Sequence, residues 1–242
     1  MNNIFRFKYF EINQNNAAHK VGTDAMLLGA FLNAKNNTKN ALEIGTGTGV
    51  IALMLAQKSN FPIDVVEISE SHAEIAKNNF DNSNYSHNLK VFPLSLQAFS
   101  KQNTQKYDLI FSNPPYFEVQ NNYKNEQRKN SRQTEVLRFE DLFFHTENLM
   151  SENAEFWVVL PYSSFDKINK TGLKYKLFCN LQIRISSYKN SEKIRGIFVF
   201  SKIPKAMYTL DFYIYEKEKI YSKNYILLTE AYHFPAIQQE NL

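Results

Sequence analysis

The sequence predicts an α/β fold built on a doubly wound, mostly parallel sheet, and three observations carry that reading. Short apolar runs of strand length recur at Ala41-Leu42-Glu43-Ile44, Ile63-Asp64-Val65-Val66-Glu67-Ile68 and Tyr107-Asp108-Leu109-Ile110-Phe111. Segments of helical composition separate them. The first run is joined to the first of those segments by Gly45-Thr46-Gly47-Thr48-Gly49, which places three of the seven glycines of the chain within five positions.

Taken in order, Ala41 to Ile44 is a buried strand, and Val50-Ile51-Ala52-Leu53-Met54-Leu55-Ala56 has helix-forming composition. The β-branched run that follows is a second strand, leading into a helix over 71–80 capped by Ser69 or Ser71. Residues 89–94 read as a third strand, 107–111 as a fourth, and 156–160 as a fifth after an amphipathic helix over 139–150. The pattern then changes. Leu181-Gln182-Ile183-Arg184-Ile185 and Ile197-Phe198-Val199-Phe200 are separated by a polar, lysine-bearing link, which suits an antiparallel pair. Residues 208–215 also read as a strand, and 225–232 as a closing helix.

With 242 residues, 43% hydrophobic and 21% charged, the chain is expected to be one soluble domain over 1–242. No apolar run approaches the roughly 18 residues of a membrane span, and the start lacks a signal-peptide pattern. The lone Cys179 has no partner for a disulfide. The five histidines, His19, His72, His87, His145 and His233, show no metal-ligand spacing. A cytoplasmic, metal-free monomer is the expectation. The net charge of +4, carried by the second half of the chain, is compatible with a nucleic-acid partner without requiring one.

Glycines 45, 47 and 49 let a ligand approach the backbone between strand and helix. A dinucleotide loop needs G-x-G-x-x-G over a pyrophosphate, whereas here the third glycine arrives one residue early. S-adenosylmethionine has no phosphate and tolerates that tighter turn. Glu67, at the end of the second strand, is placed to accept hydrogen bonds from both ribose hydroxyls of such a cofactor.

Asn113-Pro114-Pro115-Tyr116 leaves the fourth strand where open α/β sheets bind ligands. An amide acceptor, two prolines that stiffen the backbone and a flat ring suit one task, holding a planar amino group. In that role Asn113 and Pro114 accept hydrogen bonds from the target amine and Tyr116 stacks on its ring. The tetrapeptide alone does not distinguish adenine, cytosine, guanine or a glutamine amide.

A third block, Lys20-Val21-Gly22-Thr23-Asp24-Ala25-Met26-Leu27-Leu28-Gly29, reads as a helix capped by Thr23 or Asp24. Together with Leu42 to Gly49, Asn113 to Tyr116 and Tyr221-Ser222-Lys223-Asn224-Tyr225, it resembles the bacterial tRNA1(Val) adenine-N6 methyltransferases over nearly the whole chain. The resemblance implies a Rossmann-like class I methyltransferase fold with a seven-stranded sheet, methylating an adenine beside the anticodon. It implies that the lead over 1–40 closes over the methionine end of the cofactor, and that Thr23, Asp24, Glu43, Gly45, Gly47, Gly49, Glu67, Ser95 and Asn113 line the cofactor site. Ser95 stands where many relatives carry an aspartate that contacts the cofactor adenine.

The polar stretch over 118–138 follows the tetrapeptide and reads either as a solvated connection or as an RNA clamp. In the second reading Phe117 and Tyr123 lie near the base, and Lys124, Arg128, Lys129 and Arg132 meet phosphates, joined by Lys189, Lys193 and Arg195. Two rival substrates share the chemistry. Protein-glutamine methyltransferases usually carry a sizeable helical domain before the glycine loop, where this chain has about 40 residues. Guanine-N2 enzymes often pair two such domains and prefer phenylalanine at the position of Tyr116.

Overall fold

The computed structural model describes residues 3–18, 20–115 and 137–233. A hairpin of β1 (Ile4–Arg6) and β2 (Glu11–Asn13) precedes α1 (Thr23–Phe31). The alternating body follows as β3 (Ala41–Ile44), α2 (Val50–Ala56), β4 (Ile63–Val66), α3 (Glu70–Asp81), β5 (Leu89–Phe92), α4 (Leu96–Gln102), β6 (Tyr107–Ser112), α5 (Phe139–Leu149), β7 (Met150–Pro161) and α6 (Phe165–Lys174). The chain then runs through β8 (Phe178–Tyr188), β9 (Lys193–Ser201), β10 (Tyr208–Lys217), β11 (Ile220–Tyr221) and α7 (Lys223–Thr229).

The main sheet has the order β11-β10-β8-β9-β7-β6-β3-β4-β5. Strands β3 to β7 are mutually parallel, and β9 lies antiparallel to both β7 and β8. Of the eight strands read from the sequence, seven form the contiguous set from β8 to β5 and the eighth, over 208–215, is β10; with β11 it widens the expected seven-stranded sheet to nine. β10 joins parallel to β8, while the two-residue β11 covers only its far end. The chain proceeds from β3 to β4 and β5, then returns to place β6 on the other side of β3. That makes the β3/β6 junction the point where strand order reverses, which is where such sheets bind ligands.

Each strand alternates its side chains between two apolar layers, as the period of two requires. Ala41, Val65, Leu109 and Phe111 face a layer built with α1, α2, α3 and α7, whereas Leu42, Val66, Ile110 and Phe156 face one built with α4, α5 and α6. All seven residues of α2 are buried, which explains why the helix is apolar all round rather than striped.

Two cap assignments differ from the sequence reading. The N-cap of α1 is Gly22, with no side-chain cap bond, so Thr23 and Asp24 already belong to the helix. Asp24 instead makes an ion pair from the first turn. For α3 the cap is Ser69, whose hydroxyl accepts from the N–H of His72, and Ser71 lies inside the helix. Four elements had no sequence expectation: the β1–β2 hairpin, α4, α6 and the two-residue β11. α4 is short and begins at a cap, Ser95, whose hydroxyl accepts from Ala98 N–H at 3.1 Å. No helix of the described residues is long and apolar enough to cross a membrane.

Candidate active site

The β3/β6 junction brings the two principal motifs together. Ile44 pairs in register with Ser112, so Gly45 and Asn113 leave adjacent strands side by side, separated by roughly the 4.8 Å spacing of neighbouring strands. The buried Ser112 hydroxyl donates to the Ile44 carbonyl at 2.8 Å, tying the two strand ends together immediately before both motifs begin. Asn113 is half-buried, Pro114 is buried and Pro115 is exposed. The described chain stops there, so Tyr116, Phe117, Tyr123, Lys124, Arg128, Lys129 and Arg132 lie outside the described residues.

The three loop glycines all adopt the left-handed region, with φ of +74° at Gly45, +57° at Gly47 and +81° at Gly49. Their surroundings differ. A Cβ on Gly45 or Gly47 would meet nothing within 4 Å, whereas one on Gly49 would fall 2.4 Å from Phe80 Cε1. Gly49 therefore serves the packing of α3 against the loop, and the first two glycines present bare backbone to open space.

Glu67 follows β4 and is 7% exposed. Its two carboxylate oxygens are oriented separately, Oε2 accepting from Gly47 N–H and Oε1 from Ser69 N–H, both at 3.0 Å. A carboxylate oxygen has more than one lone pair, so each can also accept a hydroxyl. Glu67 thus shapes the glycine loop as well as facing it, a second role that its position in the sequence did not disclose.

Glu43 points into the layer of α2 and is essentially inaccessible. Burial pushes its carboxyl up to about 8, and the charge of Glu67 adds to the rise. The Thr46 hydroxyl, donating at 2.6 Å, and a bond with the Ala52 backbone oppose it. A cationic group beside Glu43 would favour ionisation, which is the electrostatic match for the ammonium of a methionine moiety. Bare glycine backbone, a fixed carboxylate at the end of β4 and a buried acid behind the loop fit S-adenosylmethionine.

The other predicted residues are spread along the same sheet edge. Ser95 lies beyond β5, where capping α4 gives its hydroxyl a structural task. Asp24 and Arg195 form an ion pair at 2.9 Å that fastens the start of α1 to the start of β9. Lys193 pairs with Asp211 at 3.1 Å, and Asp211 also binds Arg184. Lys189 is exposed in the β8–β9 turn. Two of the three cations expected at this link are therefore partnered within the chain. Among the described residues no group of three or more His, Cys, Asp or Glu is arranged to hold a metal. Sequence reasoning passed over Ser112 and Thr46. A hydroxyl closing an otherwise apolar strand, and another inside the glycine loop, were the available signals.

Comparison with known proteins addresses the fold and the family. Residues 17–161 match the Methyltransferase small domain family. Among solved structures, a predicted O-methyltransferase from Agrobacterium tumefaciens superposes with a TM-score of 0.69 at 17% identity, covering 86% of this chain and 96% of its own. That likeness concerns the fold. A curated tRNA1(Val) (adenine(37)-N6)-methyltransferase from Flavobacterium psychrophilum is 36% identical over 95% of this chain and 99% of its own length. Those from Haemophilus influenzae and Pedobacter heparinus are 36% and 38% identical, over 95% and 96% of this chain and 97% and 98% of theirs. Similarity at this level from end to end places the chain in the tRNA1(Val) (adenine(37)-N6)-methyltransferase family.

Proposed function

We propose that the chain transfers a methyl group from S-adenosylmethionine to N6 of adenine 37 in tRNA1(Val), acting in the cytoplasm. The observation that carries this reading is the junction of Gly45 and Asn113 on adjacent, bonded strand ends. It seats a methyl donor and an amine acceptor side by side. When bound, the cofactor supplies an electrophilic methyl group on a sulfonium centre.

The protein's task is then positioning. Asn113 and the Pro114 carbonyl accept hydrogen bonds from the exocyclic amine, so its nitrogen lone pair turns out of the ring plane and towards the methyl group. An amine conjugated to a purine is a weak nucleophile, and this reorientation relieves the weakness without prior deprotonation. The methylated nitrogen loses its proton readily afterwards, so no dedicated general base is needed. Tyr116 fixes the plane of the base by stacking, and alignment of reacting atoms at ~3 to 3.5 Å accounts for most of the rate. Glu67 holds the ribose, Glu43 faces the methionine end, and Ser95 contributes its hydroxyl at the adenine end. The stretch over 118–138, with Lys189, forms the RNA-facing side. An anticodon-loop target is already partly unstacked, which lowers the cost of extruding the base.

The test is to incubate the protein with methyl-labelled S-adenosylmethionine and unmodified tRNA1(Val), carrying either A37 or G37, and to identify the product by nucleoside mass spectrometry. N6-methyladenosine confined to the A37 transcript is expected. Label in N2-methylguanosine or only in protein would replace the reading with one of its two rivals.

A further inference from the structure

Asn79 is an amide on α3 with 3% exposure, and every polar atom of its side chain is engaged. Its Nδ2 donates both to the Thr48 carbonyl in the glycine loop, at 2.9 Å, and to the Asn13 carbonyl at the end of β2, at 3.1 Å. Its Oδ1 accepts from Asn13 N–H at 2.9 Å. One side chain therefore joins the cofactor loop to the N-terminal segment. The pattern also fixes the amide orientation, because only the NH2 group can serve two carbonyls.

The segment beyond Asn13 is held at further points. Ala18 N–H donates to His72 Nε2 at 3.3 Å, from a residue two helical turns before Asn79 and so on the same face of α3. Val21 N–H donates to Gln14 Oε1 at 2.7 Å, closing the segment on itself. At its far end Asp24 meets Arg195. Helices α3, α2 and α1 share one face of the sheet. The start of this strap from Asn13 to α1 lies beside the glycine loop, because the single Asn79 Nδ2 reaches both the Asn13 and the Thr48 carbonyls.

We propose that Asn79 is a positioning residue for cofactor binding. By holding strap and glycine loop with one amide, it makes the seating of the loop and the closing of the strap a single ordering event. The inference rests on the S-adenosylmethionine reading of the site. It predicts a specific kinetic signature: losing the bridge weakens cofactor binding and leaves chemistry in the assembled complex intact.

Two variants test it from opposite sides. Asn79→Leu keeps the branched shape and the number of heavy atoms and removes all three bonds, whereas Asn13→Pro removes the N–H from the strap and leaves the side chains of α3 unchanged. Each should raise KM for S-adenosylmethionine roughly 10-fold, with kcat at saturating cofactor within about 2-fold of wild type and KM for tRNA unchanged. The double variant should be little worse than Asn79→Leu alone, because the bond that Asn13→Pro removes is one of the three already lost with the Asn79 amide. Should Asn79→Leu fail to fold, Asn13→Pro decides alone. A wild-type KM for the cofactor in a folded variant, additive losses, or a fall confined to kcat would overturn the proposal. A wild-type protein that does not bind S-adenosylmethionine in calorimetry would overturn the cofactor reading first.

Discussion

A carboxyl group that titrates far from its usual range gives the active site a measurable signature at the level of single residues. Glu43 is raised to about 8, chiefly by burial, against an ordinary value of 4.5. The folded state thus holds a proton that the unfolded chain gives up. The associated stability is fully present below about pH 4.5 and is lost as pH climbs towards 8. Glu43→Gln, which stays neutral throughout, should leave the melting temperature near that of wild type at pH 4.5 and raise it above wild type at pH 8.5. Thermal unfolding followed by circular dichroism at the two pH values checks this. Asn113 belongs to the same scale with an opposite signature. Asn113→Ala should lower kcat by about 100-fold or more, as removal of a preorganised polar contact does, with the cofactor dissociation constant nearly unchanged. Single-turnover kinetics beside calorimetry separate the two effects. Asn113 was marked in the sequence by its residue type within the tetrapeptide, and Glu43 by the resemblance of its block to a known family. The protonation of Glu43 was not, since it depends on what α2 and Thr46 bring around it.

Within the glycine loop, three residues with the same backbone sign do different work. Gly47→Ala places a Cβ in open space and meets only the left-handed φ, a cost of ~1 kcal/mol that falls on the cofactor side of the loop. Gly49→Ala adds a collision with the ring of Phe80 to the same strain, so it should be the more destabilising of the pair. Chemical denaturation should rank them in that order, while cofactor titration shows Gly47→Ala retaining the fold with weakened binding. The sequence marked all three glycines but could not tell them apart, because the difference lies in a phenylalanine 31 positions downstream. Elements were otherwise read well where a short run is largely apolar, as in β3, α2, β4 and β6. They were missed where no such run marks them. α4 is announced only by its serine cap, and α6 by a polar sequence whose apolar face is narrow. The first turn of α1 misled in a different way: Thr23 and Asp24 have capping side chains, but the chain enters the helix one residue earlier, at Gly22.

For the molecule as a whole, the sheet is the frame on which everything else is aimed. Phe111 is fully buried and stands just before Ser112 and Asn113. Phe111→Ala should cost ~3 to 5 kcal/mol, a large fraction of a typical domain's stability, and depress activity through the folded population. Its effect should therefore vanish when activity is scaled to the folded fraction, unlike that of Asn113→Ala. The charge balance also reads differently in three dimensions. Lys193 and Arg195 looked like RNA contacts in the sequence, yet they are partnered by Asp211 and Asp24, acids distant along the chain. Only the fold could show that pairing. Likewise the nine-strand width could not be read from the sequence, because β10 is added parallel to β8 rather than to its sequence neighbour β9.

The hydroxyl of Ser112 on the Ile44 carbonyl has a consequence for how such a chain can change its substrate. Because two neighbouring strand ends are bolted to each other, the spacing of Gly45 from Asn113 is a lattice constant of the sheet and not a property of any loop. Whatever follows Pro115 is then free to be exchanged, lengthened or recharged without altering that spacing.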